Sequence, residues 1–340
     1  MLTIRNIIKP LATLLVLAAM PCLAQSNWGV VSTFQIGGEG SWDYVTVDAP
    51  GHRLFVTRAT HTQAIDTDTG KVLADITGQV RSHGVAIVPK LNRGFITDGG
   101  GTGSIIVFDL KTYAVLGKLA TMPDSDGIIY DAKLDKVMAV SGDGNALMTF
   151  SPDIDPKSGK IDPPIKLAGA PEFLASDGSG KVFVNLEDKD VVAVVDMKSR
   201  TVVSRWPVGP AGHPVGMAMD AASHRLFIGC RNPQKLVVMN NETGKIEASL
   251  PIGSGVDATA VAAGLAFASA GDGTLTVAAL KAGTFDVLQT VKTPTGAKTM
   301  GLNADTHRIY LPAVDLEPAV AGARPKQKPN TFKIVVVGQQ

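Results

Sequence analysis

Seven polar side chains stand at corresponding points of a repeated sequence pattern, and they are the residues best suited to chemistry. Six of them lie seven to ten residues before a position, usually basic, that recurs in every repeat. In the remaining repeat this place is taken by Val215, and the nearby imidazole of His213 is the seventh residue. The seven residues are Asp43, His83, Asp126, Glu172, His213, Asp257 and Lys298. Carboxylates held close together repel, so they must share protons, pair with a cationic side chain or bind a cation.

Three interpretations of this set stay open. The residues form a solvated polar rim, a ligand-binding rim, or a metal site. For a first-row divalent metal the best ligands are His83, Glu172 and Asp257, because imidazole and carboxylate groups together suit such ions. No further cofactor is indicated by the sequence.

The elements that must position these residues follow from a repeat. Seven units recur with spacings of 39–45 residues, a period typical of propellers and solenoids. The aligned positions are Arg53, Arg93, Lys136, Lys181, Arg225, Gly264 and Arg308. Each unit holds about four short β-branched runs divided by turns, as at 44–47, 54–57, 63–65 and 71–74 in the first unit. The sequence therefore predicts an all-β, seven-bladed β-propeller with four-stranded blades.

The two ends of the chain are expected to meet in the last blade. The final unit lacks a fourth strand, whereas the segment at 29–34 has the pattern of an outer strand and precedes the first inner strand. Pairing these ends would close the ring and remove two exposed sheet edges. We therefore expect residues 25–340 to form a single domain.

Residues 1–24 have the pattern of a secretory signal peptide. Arg5 and Lys9 precede an apolar run at 11–20, and small residues lead to a cleavage site after Ala24. The apolar run is too short for a spanning helix, so we expect no membrane anchor after cleavage, and a periplasmic or secreted protein.

Charge and cysteine content narrow the function classes. The net charge is +1, and loss of Arg5 and Lys9 brings it to about −1, so no global attraction to nucleic acid or membrane follows. Cys230 alone remains after cleavage, which excludes an intramolecular disulfide. We expect a monomer.

Several repeats resemble the YncE-like family with YVTN repeats, within the wider group of WD40 and YVTN repeat-like proteins. The tetrads that carry the resemblance are Phe55-Val56-Thr57-Arg58, Phe95-Ile96-Thr97-Asp98 and Phe183-Val184-Asn185-Leu186. The resemblance implies a seven-bladed propeller. Binding of single-stranded nucleic acid, attributed to members of this group, is disfavoured here by the near-zero charge.

The longest irregular segment, residues 313–330, contains three prolines and the cations Arg324, Lys326 and Lys328. A loop of this length is usually functional or disordered, so it is either a flap over the rim or a solvated excursion.

A propeller has a central channel, and the seven polar residues are expected to line its mouth. The leading functional prediction is a non-catalytic binding or scaffold protein that recognises a small ligand, a cation or an envelope protein at this channel mouth. A metal-assisted hydrolase or lactonase-type enzyme is the alternative, and nucleic-acid binding is the second alternative.

Overall fold

The computed structural model describes residues 27–281, 284–318 and 325–340. The predicted signal peptide, residues 1–24, lies outside the described residues. The described chain is built from β-strands, with two short 3-10 helices at Pro89–Leu91 and Glu187–Lys189. Within these ranges, no helix is long and apolar enough to cross a bilayer.

The described strands form six hydrogen-bonded sheets, of which five have four strands. The closing sheet contains β1 (Trp28–Gln35), β24 (Gly301–Asn303), β25 (Arg308–Ala313) and β26 (Lys333–Gln339). The six-stranded sheet contains β2 (Val45–Asp48), β3 (Arg53–Asp66), β4 (Val72–Val88), β5 (Arg93–Asp98), β6 (Ser104–Asp109) and β7 (Val115–Ala120). The next sheet contains β8 (Ser125–Asp131), β9 (Lys136–Ser141), β10 (Ala146–Phe150) and β11 (Ile165–Lys166). The sheet after it contains β12 (Pro171–Ser176), β13 (Lys181–Leu186), β14 (Val191–Asp196) and β15 (Thr201–Pro207). A further sheet contains β16 (Pro214–Asp220), β17 (Arg225–Arg231), β18 (Gln234–Asn240) and β19 (Ile246–Pro251). The remaining sheet contains β20 (Val256–Ala262), β21 (Leu265–Ala270), β22 (Thr274–Lys281) and β23 (Thr284–Lys292).

The six-stranded sheet corrects the predicted blade count. The strands expected at 54–57 and 63–65 lie in the single strand β3, which pairs with β2 through residues 53–56 and with β4 through residues 59–65. β4 continues past the expected outer strand at 71–74 and pairs with β5 through residues 82–88. The pairing of Ala59 with Ser82 joins the ladders of the first two sequence repeats. Counted by sheets, the described strands form six blades, and the prediction of seven separate blades is wrong.

The innermost strands of the sheets surround a central channel, and the six-stranded sheet contributes two of them, β2 and β4. β2, β4, β8, β12, β16 and β20 contact one another in that order, and β24 contacts β2. Apolar side chains line the channel, among them Val45, Val85, Ile128, Met217 and Met300. This ring brings residues that are distant in sequence to one opening.

The hydrophobic core lies between neighbouring sheets. Phe95 of the six-stranded sheet packs against Phe150 of the next sheet with ring centroids 5.4 Å apart, and within the six-stranded sheet Phe55 packs against Phe108 at 5.5 Å. All four rings are buried. Burial of aromatic side chains at repeated positions is the main force that holds one sheet against the next.

The predicted closure of the ring is confirmed. β1 pairs antiparallel with β26, from Trp28 opposite Gln339 to Gln35 opposite Lys333. The Trp28 ring is buried and packs edge-on against Phe267 of the adjacent sheet, with centroids 4.9 Å apart. The first strand therefore covers an edge that the last sheet would otherwise expose.

The described flanks of the 313–330 segment pair with each other. Leu316 forms a bridge with Gln327, and the Glu317 amide donates to the Lys326 carbonyl at 2.8 Å. Leu316 packs against the core cluster that contains Phe332. Residues 319–324 lie outside the described residues.

Candidate functional site

The strands that carry the predicted site residues share a backbone irregularity. In β4, β8, β12, β16 and β20 the register with the neighbouring strand shifts at the mouth of the channel. The residues skipped by the pairing are His83-Gly84, Asp126-Gly127, Glu172-Phe173, Val215-Gly216 and Asp257. Such bulges redirect side chains and are common beside functional sites. Here they occur at the positions that the sequence alignment selected.

Three of the predicted residues form a compact cluster on one side of the mouth. His83 Nδ1 lies 2.6 Å from Asp43 Oδ2 and 3.4 Å from Asp126 Oδ1. One ligating atom from each of the three residues lies within 4.8 Å of the other two. Asp126 Oδ1 is buried and accepts no hydrogen bond from any described residue. The cluster therefore has one carboxylate oxygen without a donor.

Arg81 lies beside this cluster. Its Nε donates a hydrogen bond to His83 Nε2 at 3.0 Å, and its guanidinium forms an ion pair with Asp124. The His83 proton is therefore on Nδ1, which faces Asp43.

The cluster disfavours the ionised form of its carboxyl groups. Burial raises the pKa of Asp43, although the hydrogen bond with His83 opposes the shift. Burial and then the charges of Asp43 and Glu172 raise the pKa of Asp126 well above its usual range. A proton or a bound cation would relieve both effects.

The other side of the mouth is a network of ion pairs. Asp257 pairs with both Arg231 and Lys298, and Arg231 Nη1 lies 3.3 Å from Glu187 Oε1. Burial, followed by the nearby Glu187 carboxyl, raises the pKa of Glu172 to about 8. Two cations therefore already neutralise Asp257.

The predicted site residues thus separate into two groups. Asp43, His83 and Asp126 meet directly, whereas Asp257 pairs with Lys298 and Glu172 lies near Glu187. His213 is half-exposed, with Nδ1 3.8 Å from Glu187 Oε1. Among the described residues, the group whose ligating atoms lie within 4.8 Å of one another is Asp43, His83 and Asp126, whereas the predicted partners of His83, Glu172 and Asp257, lie in the other group.

Two aromatic rings meet beneath the polar residues. Tyr44 immediately precedes β2 and Phe173 lies in β12, and their ring centroids are 5.1 Å apart. Burial, and then the charges of Asp126, Asp43, Glu172 and Asp257, raise the pKa of Tyr44 well above its usual value. The corresponding positions elsewhere are small: Gly84, Gly127, Gly216 and Ala258. A Cβ at Gly127 would lie 2.8 Å from the Glu172 carbonyl oxygen, so the close approach of neighbouring strands requires glycine there.

Three aspartates, each at or after the second strand of its sequence unit, hold the loops of the channel mouth in place, a role that the sequence did not predict. Asp98 accepts the main-chain N–H groups of Val80 and Arg81, Asp190 accepts that of His213, and Asp272 accepts that of Ser254. Asp98 ends β5, Asp190 lies between β13 and β14, and Asp272 lies between β21 and β22, and this shared place after a second strand was the available signal. Arg81 was missed because it lies two residues before the aligned position.

Together, the fold and the mouth define a β-propeller with a polar opening to its channel. No family model matches the chain. Among curated proteins no sequence matches either. A solved structure titled Kuenenia stuttgartiensis Hydrazine Synthase is similar, with a TM-score of 0.70 and 13% sequence identity, over 81% of this chain and 94% of that chain. At this identity the similarity shows the propeller fold alone, and the resemblance to YncE-like proteins stays a prediction.

Proposed function

We propose that the protein is an exported β-propeller that binds a divalent cation at its channel mouth and acts as a binding or scaffold protein. The observation that carries this proposal is the cluster of Asp43, His83 and Asp126, whose ligating atoms lie within 4.8 Å of one another. Two carboxylates and an imidazole suit a first-row divalent ion. Export to the periplasm or the medium is supported by the signal-peptide pattern of residues 1–24.

The electrostatics of the cluster support a positive ligand. Asp126 Oδ1 is buried and no described residue donates a hydrogen bond to it, and burial raises the pKa values of the Asp43 and Asp126 carboxyl groups. An unpaired buried acceptor is costly, so an ion that coordinates this oxygen gains free energy that water-exposed carboxylates would not provide. The same carboxylates oppose a phosphate, which argues against nucleic acid as the ligand at this position.

The proposal also covers the family of the protein, the ligand that completes the ion site and any catalytic activity. The tetrads around Thr57 and Thr97 support membership of the YncE-like, YVTN-repeat proteins. An ion held by three protein ligands keeps open coordination positions, which a small ligand or an envelope protein would occupy. The hydrolase or lactonase-type alternative needs turnover by the metal-loaded protein, which is a separate assay on the same sample.

Calorimetric titration of the untagged protein with Mn²⁺, Zn²⁺ and Ca²⁺ tests the proposal. We expect one ion per chain, and at least tenfold weaker binding in both Asp126→Asn and His83→Ala. The matched control is Asp68→Asn, because Asp68 forms an exposed pair with His52 at 3.1 Å. Failure of the wild-type protein to bind any of the three ions at millimolar concentration would overturn the proposal.

A further inference from the structure

Three threonine hydroxyls bind the main chain of the three clustered residues. Thr299 Oγ1 donates to the Asp43 carbonyl oxygen at 2.9 Å. Thr57 Oγ1 donates to that of His83 at 2.8 Å, and Thr97 Oγ1 to that of Asp126 at 2.6 Å. All three threonines are fully buried. Each proposed ligand therefore has its own buried hydroxyl donor.

These bonds replace ladder bonds where the strands are irregular. His83 and Asp126 are skipped by the pairing between β4 and β5 and between β8 and β9. Outside the ladder each carbonyl group needs other donors, which are the Tyr44 amide and the Thr57 hydroxyl at His83 and the Thr97 hydroxyl at Asp126. The threonine hydroxyls thus donate at the residues whose side chains form the cluster.

The hydrogen bonds also link one ligand to the next. The Tyr44 amide donates to the His83 carbonyl at 3.1 Å, which connects the main chain beside Asp43 to His83. Thr97 Oγ1 accepts the Gly84 amide at 2.9 Å while it donates to Asp126. The spacing from Asp43 through His83 to Asp126 is thus set by a continuous chain of short contacts.

The same device appears on the other side of the mouth, where it holds a residue outside the cluster. Ser269 Oγ donates to the Lys298 carbonyl at 2.6 Å, and Ser269 is also fully buried. This hydroxyl provides an internal comparison, since it has the same burial and the same type of acceptor but no proposed ligand.

We infer that Thr57, Thr97 and Thr299 are positioning residues that keep the three ligands close together and so make the site selective for a small first-row cation over Ca²⁺. The inference rests on the proposed function. Ca²⁺ requires six to eight oxygen ligands at about 2.3–2.6 Å in an adaptable site, whereas Zn²⁺ is usually four-coordinate and binds imidazole and carboxylate ligands together. A main chain fixed at all three ligands resists the expansion that Ca²⁺ needs.

Titrations of Thr97→Val and Thr299→Val with Zn²⁺, Mn²⁺ and Ca²⁺ test this inference, with melting temperatures measured on the same samples. Valine keeps the shape of threonine and removes the hydroxyl. We expect at least tenfold weaker Zn²⁺ or Mn²⁺ binding and less than a threefold change for Ca²⁺. Thr97→Ser retains the donor and should bind within threefold of the wild-type protein.

Ser269→Ala is the matched control and should leave all affinities unchanged. Wild-type affinity for Zn²⁺ and Mn²⁺ in folded Thr97→Val or Thr299→Val would overturn the inference while the proposed function stands. An equal loss of all three ions, or an equal loss in Ser269→Ala, would also overturn it. Absence of binding to the wild-type protein would overturn both proposals.

Discussion

Arg81 Nε donates a hydrogen bond to His83 Nε2 at 3.0 Å. This bond keeps the imidazole proton on Nδ1, which lies 2.6 Å from Asp43 Oδ2. Coordination of a metal through Nδ1 requires the proton on Nε2 instead, where it would face the guanidinium N–H. Arg81 therefore stabilises the metal-free cluster and must turn away when an ion binds. Its side chain is 55% exposed and pairs with Asp124, so there is room for that movement.

We expect Arg81→Gln to bind Zn²⁺ or Mn²⁺ about three to ten times more tightly than the wild-type protein. The glutamine carbonyl oxygen can accept the Nε2 proton of metal-bound His83, as second-shell acceptors commonly do. Isothermal titration calorimetry measures the change. Arg205→Gln is the control, because the Arg205 guanidinium donates to the Leu167 carbonyl outside the cluster. Weaker binding by Arg81→Gln would contradict this reading of Arg81.

Glu172 should make the stability of the protein fall as pH rises. Burial, and then Glu187, raise the pKa of Glu172 from 4.5 to about 8, so the folded state holds a proton that the unfolded chain has lost. Stability therefore decreases between about pH 4.5 and pH 8 and stays low above that range.

The Glu172→Gln variant should remove this dependence. We expect it to be more stable than the wild-type protein by about 1–2 kcal/mol at pH 9, a value reduced for solvent screening, and nearly equal at pH 4.5. Urea denaturation at the two pH values measures the difference. Glu242→Gln serves as the control, since Glu242 is 63% exposed. A destabilised Glu172→Gln protein at pH 9 would show that Glu172 is ionised and usefully paired.

Much of the mouth was accessible from the sequence because a repeated fold makes counting meaningful. The positions of Asp43, His83 and Asp126 followed from their distance to the recurring basic residue, and the structure joins them in one cluster. Closure by the first strand followed from a missing strand in the last unit. Both inferences needed only the period of the repeat.

The remaining features depend on local geometry that the period does not encode. The Ala59–Ser82 pairing merges two repeats into one sheet, and no residue type marks it. His83 contacts Asp126 at 3.4 Å, whereas Asp257, its predicted partner, pairs with Arg231 and Lys298. Arg231 ends β17 and Lys298 lies between β23 and β24, so their convergence requires coordinates.

Gln289 should contribute to closure of the ring. Its side-chain oxygen accepts the Trp28 amide at 2.8 Å, and its nitrogen donates to the Trp28 carbonyl at 2.7 Å. We expect Gln289→Ala to lower the free energy of unfolding by about 1–3 kcal/mol, because two main-chain groups lose their partners. Urea denaturation measures this loss. Gln234→Ala, at an exposed position of β18, should change stability little; equal losses in both variants would argue against a special role for Gln289.

Asp98 should position the cluster from outside it. This fully buried carboxylate accepts the amides of Val80 at 3.0 Å and Arg81 at 2.7 Å, and so fixes the segment that leads to His83. Asp98→Ala leaves these donors unsatisfied, and we expect a loss of about 2–4 kcal/mol of stability together with at least tenfold weaker cation binding. Denaturation and calorimetry on the same sample measure the two effects.

The corresponding aspartate on the other side of the mouth separates positioning from general stability. Asp272 accepts the Ser254 amide at 2.7 Å but lies outside the Asp43, His83 and Asp126 cluster. Asp272→Ala should therefore lose stability and keep its affinity for the cation, whereas Asp98→Ala loses both. If the two variants lose affinity equally, the effect of Asp98 comes from weakened folding, since loosening of either loop would then disturb the site in the same way.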